Sequence, residues 1–431
     1  MTYLNLISLI GLLILPLIAW VLSTNRRVIN WRVTVWGIGL QLAFAAFIFA
    51  LPAGRKIFLI VNDLVVKVVE VAGEGGKFVF GPLANPPGRE GSLGFILATQ
   101  ALPTIIFFAA LLGLLYHFRI LPWLIELFAK VFGKWMRLSG AESLCVASNL
   151  FVGVESALTI KPYLERMTRS ELCAILTNMM GNTASSVMAV YVLILIATFP
   201  HIAGHLVSAT ILSAPAGLVM AKLIWPETGK PETLGVQVKA YYDSGAGALE
   251  SVIQGATDGG KMVFGVATLL IAVIGLAALV NLILPVGGNL INALFGIHLN
   301  WTLQGLLGYL FYPLALLVGV APADAVEVGR LLGSRAIVTE AMAYQDLAKL
   351  MAEGALTDPR SSALAAYALC GFTHVASLGI FIGGIAAIAP SRIKDLAAVG
   401  LRAFIAATLT TLMVAAAAGV FMTGGETLIG K

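Results

Sequence analysis

The chain has 431 residues, of which 59% are hydrophobic and 11% charged, and its mean hydropathy is +0.94. A water-soluble domain of this length could not bury so much apolar surface, so the class is a polytopic helical membrane protein. The net charge of +5 lies mostly in short loops, where it sets membrane orientation and argues against nucleic-acid binding. Cys145, Cys173 and Cys370 sit far apart in apolar segments and support neither a disulfide framework nor a CxxC metal site.

Residues 4–22 form an apolar run long enough to cross a hydrocarbon core, read as a retained span because no basic n-region precedes it. Arg26, Arg27 and Arg32 follow, so the positive-inside tendency puts the N-terminus outside and this loop in the cytoplasm. Residues 33–51 cross back. Residues 57–71 are too charged to span and too apolar to float free, which predicts an interfacial helix. The chain up to residue 92 is then rich in Gly and Pro, including Pro82, Pro86 and Pro87. A third span covers 93–116, and His117, Arg119, Lys130, Lys134 and Arg137 mark an inside-facing amphipathic segment.

Residues 148–164, SNLFVGVESALTIKPYL, hold Glu155 in an apolar run with no cation nearer than Lys161. An ionised carboxylate is expensive in lipid, so such a residue points to a functional site; the competing reading is a surface helix with a hydrated Glu. Gly153 and Pro162 weaken a continuous helix, and Lys161, Arg166 and Arg169 belong on the cytoplasmic side. The chain is therefore expected to enter near residue 141, turn around Gly153 and Glu155, and leave on the same side as a re-entrant hairpin. A fourth span, 172–199, is interrupted at Gly181, Asn182, Thr183, Ser185 and Ser186, either because the helix opens there or because small residues pack there. After a fifth span, 202–224, comes a polar loop, 225–261, with Lys230, Lys239 and Lys261 against Glu227, Glu232, Asp243, Glu250 and Asp258. A sixth span follows at 262–284.

The middle of the chain then recurs. An amphipathic segment (303–318) precedes a second hairpin, ADAVEVGRLLGSRAIVTEAMAYQDL, with Glu340 near its apolar centre. A broken span (363–388, with GFTHVASLG at its middle) and a last span (401–421) complete the series, with Arg392 and Lys394 inside and the C-terminus outside. If the hairpins do not cross, the two copies have opposite orientation, the inverted-repeat plan of secondary transporters. The expected fold is all-α, with eight transmembrane helices, two re-entrant hairpins and interfacial helices. Its parts are scaffold spans (1–116), a first repeat (117–224), a loop with scaffold span six (225–302), and a second, inverted repeat (303–431).

In such a plan Glu155 and Glu340 face one cavity, and His374 and Ser377 add groups that donate or accept, suiting a solute rich in N–H and O–H. A channel would need polar rings along a span. An intramembrane enzyme would need a nucleophile or metal motif such as GxSxG or HExxH, and neither appears.

NLFVG at 149–153, KPYLERMTRSEL at 161–172, TEAMAYQDL around Glu340 and CGFTHVASLGIFIGGIAAIAPSR at 370–392 resemble the signature segments of the concentrative nucleoside transporters. The resemblance implies a homotrimer in the cell inner membrane whose transport unit slides against a trimerisation scaffold, importing nucleosides by cation symport. It also implies roles. Glu155 resembles the glutamate that bonds the nucleobase and Glu340 the one that bonds ribose hydroxyls, with Phe372 an aromatic packing residue, Ser377 a ribose contact and Val187 beneath the base. Gly153 and Val154 stand where the family has Gln-Thr, with one residue fewer, and His374 stands where it has Asn. These departures open a modified nucleoside or another glycoside as substrate. For sodium, the resemblance implies Asn149, Val152, Asn182 and Thr183, all oxygen donors suited to a hard cation; a proton carried by His374 or Glu155 is the alternative.

Overall fold

The computed structural model describes residues 2–85, 91–241 and 247–422. Pro86, Pro87, Asp243 and the C-terminal stretch expected outside lie beyond these residues. Among the described residues regular structure is helical throughout, with a single isolated bridge between Ser139 and Leu234.

The first two spans, α1 (Tyr3–Val21) and α2 (Trp31–Phe49), lie where the apolar runs put them. The expected interfacial helix is longer than its charge pattern suggested: α3 runs Pro52–Phe80, and Pro52 opens it at a position where a missing N–H costs nothing. The third span and the amphipathic segment are α4 (Leu102–His117) and α5 (Ile120–Met136). The first hairpin has one α-helical arm, α6 (Gly140–Asn149), and one 3-10 arm (Val154–Ile160). The broken span is α7 (Arg169–Gly181) followed by α8 (Ser185–Leu195), and α9 (Ile202–Ile224) is the plain span after it. A reciprocal capping box starts α7: Glu171 N donates to Thr168 Oγ1 at 3.1 Å, and Thr168 N to Glu171 Oε2 at 2.8 Å.

The long loop expected up to residue 261 is a correction. Helix α10 begins at Ala248 and runs 48 residues to Phe295, about 72 Å at 1.5 Å per residue and more than twice the hydrocarbon thickness. Gly255 and Gly259 are contact points rather than loop formers. A Cβ on Gly255 would lie 2.5 Å from Ala109 O, and one on Gly259 2.8 Å from Ile106 Cα, so α10 and α4 approach through small residues as membrane helices do.

The second repeat comprises α11 (Leu303–Leu317), hairpin arms α12 (Ala325–Ile337) and α13 (Glu340–Ala352), half-helices α14 (Pro359–Leu369) and α15 (Val375–Ile388), and α16 (Ile393–Phe421). Seven described helices are long and apolar enough to cross a membrane; the remaining expected span, 363–388, is present as the two short pieces α14 and α15. The order of amphipathic helix, hairpin, broken span and plain span thus occurs twice, α5–α9 and α11–α16.

The breaks of the two interrupted spans touch. A Cβ on Gly371 would lie 3.1 Å from the carbonyl carbon of Gly181 and 2.7 Å from Thr411 Cγ2 on α16. At the far end of α16, Arg360 is buried and finds acceptors for all three nitrogens: Nε donates to Gly319 O (2.9 Å), Nη1 to Met422 O (2.6 Å), and Nη2 to Ser8 Oγ (2.7 Å) and Gly419 O (2.8 Å). Asn5 Nδ2 adds bonds to Gly419 O and Met422 O. Helix α1 is therefore fastened to α14 and α16, and a buried cation is tolerated because its donors are satisfied.

Gly371→Ala should lower stability by about 1–3 kcal/mol, because the crossing of backbones leaves the methyl no room. Gly275→Ala on α10, where nothing lies within 4 Å, should leave the protein at least as stable, with a gain of up to about 1 kcal/mol. Thermal unfolding of the two purified variants in detergent compares them directly.

Candidate functional site

Glu340 opens α13, placed by Thr339, whose Oγ1 caps the helix by accepting from Met342 N. Its carboxylate is 5% exposed. Tyr191 of α8 donates its hydroxyl to Oε1 at 2.6 Å. His374 Nε2 lies 3.1 Å from Oε2, but without the alignment of a full hydrogen bond, so Oε2 keeps an acceptor position open. His374 is also the N-cap of α15: its Nδ1 accepts from Ser377 N at 3.2 Å, which assigns the ring proton to Nε2, facing Glu340.

Ser377 is placed differently from the expectation of a ligand contact. Its hydroxyl donates to His374 O at 2.6 Å and to Phe372 O, so it closes the turn that orients His374. Phe372 lies in the same break, half-buried, with its ring 6.0 Å from that of Phe381. Val187 is buried one helical turn before Tyr191, on the same side of α8. Tyr344 stacks on Tyr191 at 4.7 Å and donates its hydroxyl to Ala366 O at 2.9 Å.

At the first hairpin the structure brings Asn149, Val152 and Asn182 together. Asn149 Nδ2 donates to Val152 O (3.1 Å) and Asn182 Nδ2 to Asn149 O (2.7 Å), while Asn149 Oδ1 and Asn182 Oδ1 are buried with no donor. Leaving a buried acceptor unpaired costs about 1–3 kcal/mol. Two such oxygens, on residues linked by the Asn182-to-Asn149 bond, are donors of the kind a hard cation takes. The Thr183 side chain is turned away from this group, its Oγ1 3.6 Å from Cys370 Sγ, which links the two breaks.

Glu155 is half-buried at the start of the 3-10 arm. Gly153 leaves it space, since a Cβ there would lie 3.3 Å from Glu155 Oε2. Val154 packs on Gly384 of α15, roughly three helical turns beyond His374. The first hairpin thus meets α15 near its C-terminal end through Val154, while Glu340 lies beside its N-terminal residue, His374. A surface cavity of about 410 Å³, lined by Asn62, Lys67, Glu70 and His201 among others, includes none of these groups.

Tyr191, Tyr344 and the buried Arg335 were not singled out by the sequence reading. A lone tyrosine in an apolar run looks like core, and only its pairing with Glu340 reveals a site.

Three family models divide the chain between them: the Na+ dependent nucleoside transporter N-terminus over residues 10–83, nucleoside recognition over 98–198, and the Na+ dependent nucleoside transporter C-terminus over 205–419. An uncharacterized transporter of Haemophilus influenzae is 38% identical over 422 residues, covering 96% of this chain and 97% of its own. The nucleoside permease NupC of Helicobacter pylori is 33% identical over 426 residues, covering 98% and 99%. The chain belongs to the concentrative nucleoside transporter family. Among solved structures, the fold matches CNTnw in an inward-facing substrate-bound state with a TM-score of 0.87 at 33% identity, covering 97% of this chain and 98% of that one. An outward-facing CNTnw variant matches equally well, with a TM-score of 0.87 at 32% identity, covering 98% of each chain. Family members of this fold therefore occupy both facing states, as alternating access requires.

Tyr191→Phe leaves a buried Glu340 oxygen without its donor, and should weaken substrate binding roughly tenfold or more. Tyr344→Phe, which loses a bond to a backbone carbonyl only, should weaken it less. Equilibrium binding to the purified variants reads both, and equal effects would remove the carboxylate contact from the explanation.

Proposed function

We propose that the protein imports nucleosides, or a nucleoside-like glycoside, across the cell inner membrane by sodium symport. The observation that carries this reading is a buried carboxylate, Glu340, with one oxygen held by Tyr191 and the other open beside a donor, His374 Nε2. Such a pair receives a sugar hydroxyl in a fixed direction: Oε2 accepts its proton and the imidazole N–H donates to its oxygen. Glu155 bonds the base edge, and Val187 and Phe372 supply apolar faces. With Gly153 and Val154 in place of an amide and a hydroxyl, the first hairpin offers the base fewer polar contacts, which supports a modified nucleoside or other glycoside as an alternative substrate.

Asn149 Oδ1, the Val152 carbonyl, Asn182 Oδ1 and the Thr183 carbonyl would hold the coupling cation. The orphaned amide oxygens favour sodium. His374 against Glu340 favours a proton as the second reading, because that pair sits where a charge change would reach the substrate.

For the movement, an elevator in a homotrimer, the two repeats form the travelling body and α10 with α4 the scaffold. Support comes from the surface of α10, where Phe264, Ile271 and Leu282 each stand about three-quarters exposed in a single protomer. Helix α1, fastened to α16 by Asn5 and Arg360, travels with the repeats in this reading, although the sequence grouped it with the scaffold. The N-terminus lies outside.

Asn149→Ala and Asn182→Ala should each raise the sodium concentration for half-maximal uptake into proteoliposomes. Uptake indifferent to sodium but collapsed by a protonophore would instead establish proton coupling.

His374→Asn trades one donor and one acceptor for two donors and an acceptor, and should change preference among sugar-modified nucleosides while preference among bases stays nearly constant. Competition uptake with a panel of both kinds distinguishes the outcomes. A mutant that keeps its specificity and loses only pH dependence marks His374 as the proton site.

A further inference from the structure

The two repeats finish their interrupted helices in different ways. In the first, α7 stops at Gly181, and the oxygens of Asn149 and Asn182 gathered at its end have no donor. In the second, α14 stops at Leu369, and a side chain takes the place. Arg335, on α12 of the second hairpin, is 0% exposed. Its Nη1 donates to Ala368 O in the last turn of α14 and to Thr411 Oγ1 on α16 at 3.0 Å. The same Thr411 carries the methyl that meets Gly371, and its neighbour Thr410 meets Gly181, so α16 presents adjacent residues to the two breaks.

Arg335 forms no ion pair among the described residues, and its Nε and Nη2 have no acceptor. A guanidinium buried without a direct ion pair is a poor way to fill a core, since an apolar side chain of similar volume does so without the desolvation cost. The Glu340 carboxylate acts on it at longer range, and what it touches is the negative end of a helix. The last carbonyls of α14 have no intrahelical donor and carry roughly half a negative charge between them. Tyr344 serves one, Ala366 O, and Arg335 serves another, Ala368 O. The charge is permanent, because a guanidinium does not deprotonate in proteins.

We propose that Arg335 is a tethered cation: it fills, in the second repeat, the position that the mobile coupling cation fills in the first. The inference rests on the symport reading above and deepens it. The second hairpin, with Glu340 in its turn, is organised around a built-in positive charge before any ion or substrate arrives. The first hairpin satisfies its last two oxygens only when a cation reaches Asn149 and Asn182. The second repeat then needs no mobile cation at its own break. Arg335 touches neither substrate nor ion and is a positioning residue.

The test is binding of a radiolabelled nucleoside to the purified protein while sodium is titrated, with and without millimolar guanidinium chloride. Wild type should follow a single-site sodium curve and ignore guanidinium. Arg335→Lys, which keeps a charge but not the fork, should bind substrate more weakly on a sodium curve of unchanged slope. Arg335→Ala should bind roughly tenfold more weakly or worse at low sodium. It should recover when guanidinium is added, or at high sodium along a steeper curve as a second ion enters the vacated place. An Arg335→Ala protein with wild-type affinity and slope overturns the proposal. So does one that stays monodisperse with a wild-type melting temperature but recovers with neither cation. Should Arg335→Ala aggregate, Arg335→Lys decides by its slope: an unchanged slope supports the tethered charge and a steeper one overturns it. A wild-type protein whose binding ignores both sodium and pH sinks the symport reading, whereas guanidinium rescue of Arg335→Ala still stands or falls independently of that result.

Discussion

Opening two helices inside an apolar protein leaves four free helix ends whose backbone groups have no water to turn to, and the surroundings of the breaks answer that shortage. In the first repeat the hairpin tip supplies the partners: Ser185 N, at the start of α8, donates to Phe151 O, and Asn182 at the end of α7 donates to Asn149 O. In the second, α15 is capped from within by His374 and Ser377, while α14 is closed by Tyr344 and Arg335 from the hairpin arms. Each re-entrant hairpin is thus the structural complement of the break in its own repeat. Among the bonds that join the repeats, the one at the site runs from Tyr191 of the first to Glu340 of the second. A change at Glu340 is therefore felt by α8 through Tyr191, and the N-terminus of α8 is in turn held by the first hairpin.

The two ends of the first hairpin are built from different chemistry. At its base Lys222 Nζ is buried 2.8 Å from Glu142 Oε1 and 3.6 Å from Glu227 Oε2, and donates to Ser170 Oγ at 3.1 Å. Removing one member of such a group leaves an uncompensated buried charge, so its geometry is strongly specified even where its net contribution to stability is small. At the tip the bonds are neutral, amide to carbonyl, and two oxygens are unsatisfied. The hairpin is therefore fixed where it enters and adjustable where it turns, the distribution of stiffness a gate needs.

Most of the architecture was legible because a membrane permits few solutions. Apolar runs of sufficient length placed α1, α2 and α9 within two residues and the end, though not the start, of α4, and an uncompensated Glu in an apolar segment located both hairpins. The failures share a cause, which is that one residue type serves two purposes. Gly255 and Gly259 read as loop and are helix-crossing points, distinguishable only once α4 lies against them. The charges of α3 suggested a short surface helix and left its extension to Phe80 unread. His374 and Ser377, three residues apart, read as two groups facing one ligand; the same spacing is also that of a capping box, a second use of the pair that the spacing did not reveal.

Arg335 shows most clearly why part of the site was hidden. In sequence it is one basic residue in an arm that also carries Glu327 and Arg330, and those two pair with each other at 2.8 Å on the surface. Nothing in the spacing distinguishes the exposed arginine from the one five positions later, which is fully buried against α14 and α16. The distinction lies in what each meets in space: a carboxylate and solvent for one, the carbonyl end of an interrupted helix for the other. A helix end exists only where the chain has been broken, so the meaning of this arginine depends on a break some thirty residues downstream, and it becomes readable when the fold brings the two together.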